Sequence, residues 1–408
     1  MIAPTLRRAA GLAALTALTL SCNNEGLVVP TLPSYAGAVS FRRYVSMGNS
    51  ITSGLQSGGI NDSTQRQAYP VLVAAAMGGD PFYYPSLAMP GCPPPYANVF
   101  TKLRITGDTL STTCAFRSPA PVPYISNVAV PGAEALDVTQ NGPGAGTNSN
   151  ALTQLFLGGR TQIQAMTAAA PTFVSVWIGN NDVLGAFTSS ANAGDSTLIT
   201  PLATFQTNYQ NIVNGVKATG AKAILIGVAN VTDLPFASSG ATYFAIKNGA
   251  IPGAAFPLAF TVLPACAPSS LGGKGDSVLV PFPFGATLVG AAAAGLPDTL
   301  RCTEPQTVQP AELRKLVATV LAYNTFISGA ASANGWAYLD PNPALDSLRT
   351  ISTQIAPFPS LGAACASFPF GLAFTCDGIH PSASTHHLIA QKIVQAINAK
   401  YGSAIPAP

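Results

Sequence analysis

Apolar and polar positions along the chain form short uniform runs that alternate with longer amphipathic ones. Arg43–Met47 (RYVSM) is a short apolar run leading into Gly48 and reads as a strand. Thr172–Ile178 (TFVSVWI) is an unbroken apolar run, as expected of a strand buried on both faces. Lys222–Val228 (KAILIGV) repeats that pattern, and Trp336–Leu339 is a last short strand. Between them, Ala68–Met77 and Thr204–Lys217 have helical patterns. Pro310 suits a first helical position, and Leu313, Leu316, Val317, Val320 and Leu321 follow it at helical spacing. Ser384–Tyr401 is a closing helix, with Leu388, Ile389, Ile393, Ala396 and Ile397 on one face and Gly402 as its stop. Strands alternating with helices predict an α/β fold with a central parallel sheet covered on both sides.

Leu234–Pro305 breaks this alternation with Gly, Ala, Pro and Phe, including SVLVPFPFGATLVGAAAAGLP. Pro281, Pro283, Gly285 and Gly290 would interrupt a membrane-spanning helix there. The stretch reads as a cap inserted at about 234–305 into one core domain at 41–402. A second irregular stretch, Pro85–Pro123, carries Cys92 and Cys114, and no internal repeat is visible.

Composition narrows the class. Only 9% of the 408 residues are charged, against about 25% in an average soluble protein. Hydrophobic residues reach 48%, which excludes a disordered chain. A formal charge of +3 spread thinly along the sequence offers no basic stripe for nucleic acid. Neither a CxxC pair nor HExxH occurs, so no zinc, other metal or cofactor is expected.

The first residues point to export. Arg7 and Arg8 precede the apolar run Ala9–Leu20, which falls short of the roughly 20 residues that a spanning helix needs. Thr19-Leu20-Ser21-Cys22 resembles a bacterial lipobox, with Thr19 where Leu is usual. Two fates stay open for Cys22: lipid attachment as the new N-terminus, or cleavage after Ser21 that leaves a free thiol. The first implies a signal peptide at 1–22, a tether at 23–40 and a lipid-anchored cell-envelope protein; the second implies a secreted one. There are seven cysteines, so setting Cys22 aside leaves an even six. The shortest loops pair Cys92 with Cys114, Cys266 with Cys302 and Cys365 with Cys376.

The chain has three histidines, His380, His386 and His387, all within DGIHPSASTHH. Asp377 lies three residues before His380, close enough in a turn to accept the imidazole Nδ1 proton and leave Nε2 as a base. His386 and His387 are adjacent in a helix, point about 100° apart, and read as helix-surface residues. Ser50, in GNSIT just past the first strand, can project into a crevice as a nucleophile. Asn181, in GNND after the second buried strand, can donate to a developing oxyanion, and so can the backbone of Gly132 in NVAVPGA. No GxSxG elbow is present.

Taken in this order, GNSIT, NVAVPGA, GNND and DGIHP resemble the four sequence blocks of the SGNH, or GDSL-like, hydrolase superfamily. The resemblance covers Arg43–Val228 and Pro310–Gly402, and it departs from the family at Asn49, where Asp is usual. It implies a flavodoxin-like three-layer α/β/α sandwich. It also implies Ser50 as nucleophile, His380 as base and Asp377 as the orienting acid. Ser50 N–H, Gly132 N–H and the Asn181 amide would form the oxyanion hole. The implied activity is esterase or lipase chemistry through an acyl-enzyme, on lipid-like esters, aryl esters, thioesters or acetylated polysaccharides.

Two further expectations follow. A Cys365–Cys376 bond would end one residue before Asp377 and hold the catalytic loop. Phe256, Phe260, Phe282 and Phe284 would line an apolar acyl pocket or form the cap's own core. A non-catalytic surface lipoprotein that binds glycan or lipid on the same fold is the alternative to an enzyme.

Overall fold

The structure is a computed structural model that describes residues 39–109, 122–140, 151–251 and 254–408. Cys22, Cys114 and nearly all of the expected leader and tether lie outside the described residues, and so does the Cys92–Cys114 pairing.

Strand β1 (Tyr44–Gly48) enters the short helix α1 (Ser50–Ser53), and α2 (Tyr69–Met77) follows. Helix α3 (Gln162–Ala168) precedes β2 (Phe173–Trp177), which leads into α4 (Asn181–Thr188). Then come α5 (Leu202–Ala218), β3 (Lys222–Ile226), α6 (Pro310–Ala333), β4 (Ala337–Leu339) and α7 (Ala383–Tyr401). The strands form one sheet in the order β1-β2-β3-β4, and every pairing is parallel. On the free edge of β1 runs the irregular segment 126–130: Ser46 N–H donates to Ser126 O, and Val128 N–H and Val130 N–H donate to Ser46 O and Gly48 O. The chain therefore first steps outward from β1 and later returns to its other side. That is the strand order of a doubly wound sheet, whose ligand crevice opens at the carboxyl ends where the direction reverses.

Alternation along β2 separates the layers. Phe173 packs on Tyr401 of α7 (5.9 Å) and Trp177 on Tyr69 of α2 (5.5 Å). Val174 and Val176 point the other way, into the apolar cluster shared with α5 and α6. Strands buried on both faces need uniformly apolar runs, which is why TFVSVWI shows no polar period.

Two helix faces differ from the sequence reading. In α6 the buried stripe is Leu316, Val320, Tyr323, Asn324, Ile327 and Ala331, whereas Val317 and Leu321 face out. Asn324 belongs inside because its amide caps the end of β3: Oδ1 accepts from Val228 N–H (2.6 Å) and Nδ2 donates to Val228 O (2.9 Å). In α7 the buried face is His386, Ala390, Ile393, Val394 and Ile397, and Leu388, Ile389 and Ala396 are only half-buried. His387 is exposed as expected, but His386 is fully buried, which corrects its reading as a surface residue. It faces α2, where its Nδ1 accepts from Tyr69 N–H (3.3 Å). Its ring stacks on Tyr69, while its Nε2 is buried with no hydrogen-bond partner among the described residues.

Within 234–305, Ala237–Ser239 pairs antiparallel with Leu279–Pro281, and Phe260–Val262 pairs parallel with Asp298–Leu300. Helices Gly240–Lys247 and Phe282–Ala293 complete the unit. Its own apolar cluster includes Tyr243, Phe260, Val262, Val280, Leu288 and Leu300, with Phe256 and Phe284 packed against it. Phe260 is buried in this cluster, whereas Phe256 and Phe284 are half-buried against it. Phe282 turns instead to the main core, packing on Phe236 (5.2 Å), Phe370 (5.0 Å) and Phe100 (5.8 Å). Both described disulfides, Cys266–Cys302 and Cys365–Cys376, are formed.

The Cys266–Cys302 bond spans a sequence separation of 36, so it removes substantial chain entropy from the unfolded cap. Replacing both cysteines with Ala should lower the unfolding free energy by about 2–4 kcal/mol in urea titrations. A loss below about 1 kcal/mol would mean that the cap's apolar core holds it alone.

Candidate active site

The site is built where β1, β2 and the irregular segment 126–130 end side by side. β1 stops at Gly48, where a Cβ would lie 2.3 Å from Thr52 Oγ1 and 2.5 Å from Trp177 O, so only glycine fits. Gln162 of α3 grips that residue from both sides: Gly48 N–H donates to Oε1 (3.0 Å) and Nε2 donates to Gly48 O (2.9 Å). Asn49 then caps α1, its Oδ1 accepting from Ile51 N–H (3.2 Å). An amide oxygen can do what a carboxylate does at an N-cap, so the departure at Asn49 leaves the turn intact. Ser50 begins the helix and is nearly buried.

His380 meets Ser50 from the loop ahead of α7. Its Nε2 lies 2.9 Å from Ser50 Oγ, and its Nδ1 lies 2.8 Å from Asp377 Oδ2. With the Nδ1 proton directed at the carboxylate, Nε2 is left to accept from the Ser50 hydroxyl. Asp377 is buried yet saturated with donors. Oδ2 also accepts from Gly58 N–H (2.7 Å), and Oδ1 accepts from Ile379 N–H (2.9 Å), His380 N–H (2.9 Å) and Thr375 Oγ (3.1 Å). Burial alone would raise its pKa. The charge and ring N–H of His380, with the backbone N–H groups of His380 and Ile379, outweigh that and hold it at about 2. The Cys365–Cys376 bond ends at the residue before this acid.

Gly132 and Asn181 come together beside them. Gly132 is exposed at the end of segment 126–130, in a left-handed conformation (φ 84°) open to glycine. Asn181 opens α4 at the end of β2, and its Nδ2 donates to Ala133 O (2.8 Å). One amide hydrogen is thereby spent on holding the side chain, and the other remains to donate elsewhere. Asp182 ties the same two elements, its Oδ2 accepting from Ala135 N–H (2.9 Å). Burial lifts the Asp182 pKa to about 7 against that hydrogen bond, and the nearby Glu134 and Asp137 add to the rise.

Ser50, His380 and Asp377 form one hydrogen-bonded line, and Asn181, at the end of β2, is tied to Ala133 next to Gly132. Sequence reasoning missed Gly58, Thr375 and Gln162, which hold the line from outside the blocks. No spacing links Gly58 or Thr375 to Asp377 as chemistry, because their contact is a product of folding. Among the described residues no group of three His, Cys, Asp or Glu side chains is placed to hold a metal.

No family model matches the chain, and no curated protein does. Among solved structures, it is similar to a catalytic mutant of Axe2, an acetylxylan esterase from Geobacillus stearothermophilus. That likeness has 11% identity and a TM-score of 0.38, and covers 87% of this chain and 94% of the other. The acetyl xylan esterase AlAXEase is 11% identical with a TM-score of 0.36, over 87% of this chain and 99% of that one. BT4096, a gut microbial diltiazem-metabolizing enzyme, is 14% identical with a TM-score of 0.37, over 88% of this chain and 47% of that one. With every TM-score below 0.5, function is argued from this chain's own residues.

Two buried groups set opposite pH dependences. Native Asp182 keeps a proton up to pH about 7 that the unfolded chain releases near 3.9, so its stabilisation is full below about 4 and lost as pH rises through 7. Burial holds His386 down to about 3, whereas the unfolded imidazole binds a proton near 6.5, so its stabilisation is full above about 6.5 and lost as pH falls. Between pH about 4 and 6.5 the two slopes, each at most about 1.4 kcal/mol per unit, oppose one another. Asp182→Asn should expose a stability that falls with acidification, and His386→Gln one that falls with alkalinisation. Urea melts at three pH values read the slopes, and parallel slopes in the two variants would contradict the assignment.

Proposed function

We propose that this chain is a serine ester hydrolase of the SGNH type. The observation that carries the reading is the unbroken line from Ser50 Oγ to His380 Nε2 (2.9 Å) and from His380 Nδ1 to Asp377 Oδ2 (2.8 Å) at the end of a central strand. A protein that only binds glycan or lipid has no use for a base aligned on a serine and backed by a buried acid.

In this reading Ser50 Oγ attacks the ester carbonyl while His380 Nε2 takes its proton. Ser50 N–H, Gly132 N–H and the free Asn181 amide hydrogen receive the negative oxygen, each donor being worth about 2.7–4 kcal/mol at the transition state. Protonated His380 then gives its proton to the departing alcohol. Water, activated by the same imidazole, splits the acyl-Ser50 ester and releases the acid. Asp377 stays charged throughout, since its donors hold its pKa at about 2.

The leader-like residues 1–22, ending at Cys22, support export and a lipid anchor in the cell envelope as part of the same proposal. Mass spectrometry of the mature N-terminus distinguishes a lipidated Cys22 from a free thiol.

The deciding experiment is a p-nitrophenyl ester series from acetate to palmitate, with variants as controls. Ser50→Ala should lower kcat by about 10⁴-fold or more, and Asn181→Ala by about 10²–10³-fold. Equal rates for parent and Ser50→Ala would remove the enzyme reading, and the chain-length optimum identifies the acyl group.

A further inference from the structure

The residues after the nucleophile fold back onto the acid that serves it. Leu55 N–H and Gly54 N–H donate to Ser50 O (2.9 and 3.1 Å), closing α1. A tight turn follows, in which Gln56 N–H donates to Gly59 O (2.8 Å) and Gly59 N–H to Gln56 O (3.1 Å). At its tip Ser57 and Gly58 both adopt left-handed conformations (φ 52° and 61°), so their two N–H groups are presented to the loop that carries the acid. Gly58 N–H donates to Asp377 Oδ2 (2.7 Å), and Ser57 N–H donates to Thr375 Oγ (2.9 Å). Arg104, buried and lying 4.2 Å above the Tyr96 ring, donates to Gly58 O (3.4 Å) from behind.

Thr375 is the junction. Its hydroxyl accepts from the turn and offers its single hydrogen to Asp377 Oδ1 (3.1 Å), with His380 O also within reach (3.2 Å). The charged acceptor is the stronger of the two. Its backbone N–H meanwhile donates to His380 O (2.8 Å). Ser50, His380, Asp377 and the turn that follows Ser50 thus form a closed ring of covalent and hydrogen bonds.

We propose that Thr375 is a positioning residue of this site: its hydroxyl locks the turn behind the nucleophile to the acid, which holds Ser50, His380 and Asp377 in register. The proposal rests on the hydrolase reading for its kinetic arm only. Its structural arm concerns the His380–Asp377 hydrogen bond itself.

The test compares the purified parent with Thr375→Val, which keeps the side-chain shape without the hydroxyl, and Thr375→Ser, which keeps the hydroxyl. On p-nitrophenyl acetate, Thr375→Val should lose about 10- to 100-fold in kcat with KM within about twofold, and Thr375→Ser should recover to within about threefold of the parent. In proton NMR the downfield Nδ1–H resonance of His380 should move in Thr375→Val and stay in Thr375→Ser, while melting midpoints remain close to the parent's. If Thr375→Val does not fold, Thr375→Ala takes its place; failure of both would overturn the proposal by showing a purely structural role. An unmoved resonance, or kcat within twofold of the parent, would overturn it too. A parent inactive on every ester removes the hydrolase reading and leaves the resonance to decide the positioning role. An active parent with a silent Thr375→Val removes the positioning role alone.

Discussion

A buried carboxylate has to be surrounded by donors, and the site of this protein is organised around meeting that demand at Asp377. Taking a charged carboxyl group out of water costs several kcal/mol unless hydrogen bonds replace the solvent. Five donors do so here, and they come from both ends of the chain: Gly58 near the start, and Thr375, Ile379 and His380 near the finish. The acid therefore does more than orient an imidazole. It fastens the C-terminal loop to the segment that carries Ser50.

The sheet supplies the second constraint. Parallel pairing of β1 with β2 in the register Gly48↔Trp177 brings Ser50 and Asn181 to the same edge. The bonds from segment 126–130 to β1 bring Gly132 there as well. Such closeness is possible because Gly48 has no Cβ to strike Trp177 O, and because Gln162 takes over its backbone groups. Segment 234–305 also touches the loop that carries Asp377. Gly378, one residue past the acid, is in a left-handed conformation (φ 69°), and a Cβ there would lie 3.1 Å from Phe236 at the start of the insertion. The Phe236, Phe282 and Phe370 cluster thus seats segment 234–305 against the loop that carries Asp377.

Two buried groups outside the line are pushed toward their uncharged forms. His386 and Asp182 lie behind the two halves of the site, each with a hydrogen bond to a backbone N–H and each pushed by burial toward its uncharged form. A charge at either place would sit close to His380 or to the Gly132–Ala135 loop without an opposite partner.

Features that local chemistry controls could be read from the sequence. The uniform runs at 172–178 and 222–228 had to be strands of a doubly covered sheet, since no polar face was available to solvent. Asp377 and His380, three residues apart in a turn, could meet through local geometry alone, and Ser50, Gly132 and Asn181 were legible because each follows an apolar run. Tertiary structure alone decided the rest. It brought Ser57 and Gly58 to Thr375 and Asp377 across more than 300 residues of chain, and it chose His386 over Leu388 for the interior of α7. It also buried Phe260 in the apolar cluster of segment 234–305 and packed Phe256 and Phe284 against it. Periodicity says that a helix has an apolar side, but which residues are buried depends on what packs against it. A long-range hydrogen bond leaves no trace in spacing, because its geometry exists only once both partners are folded.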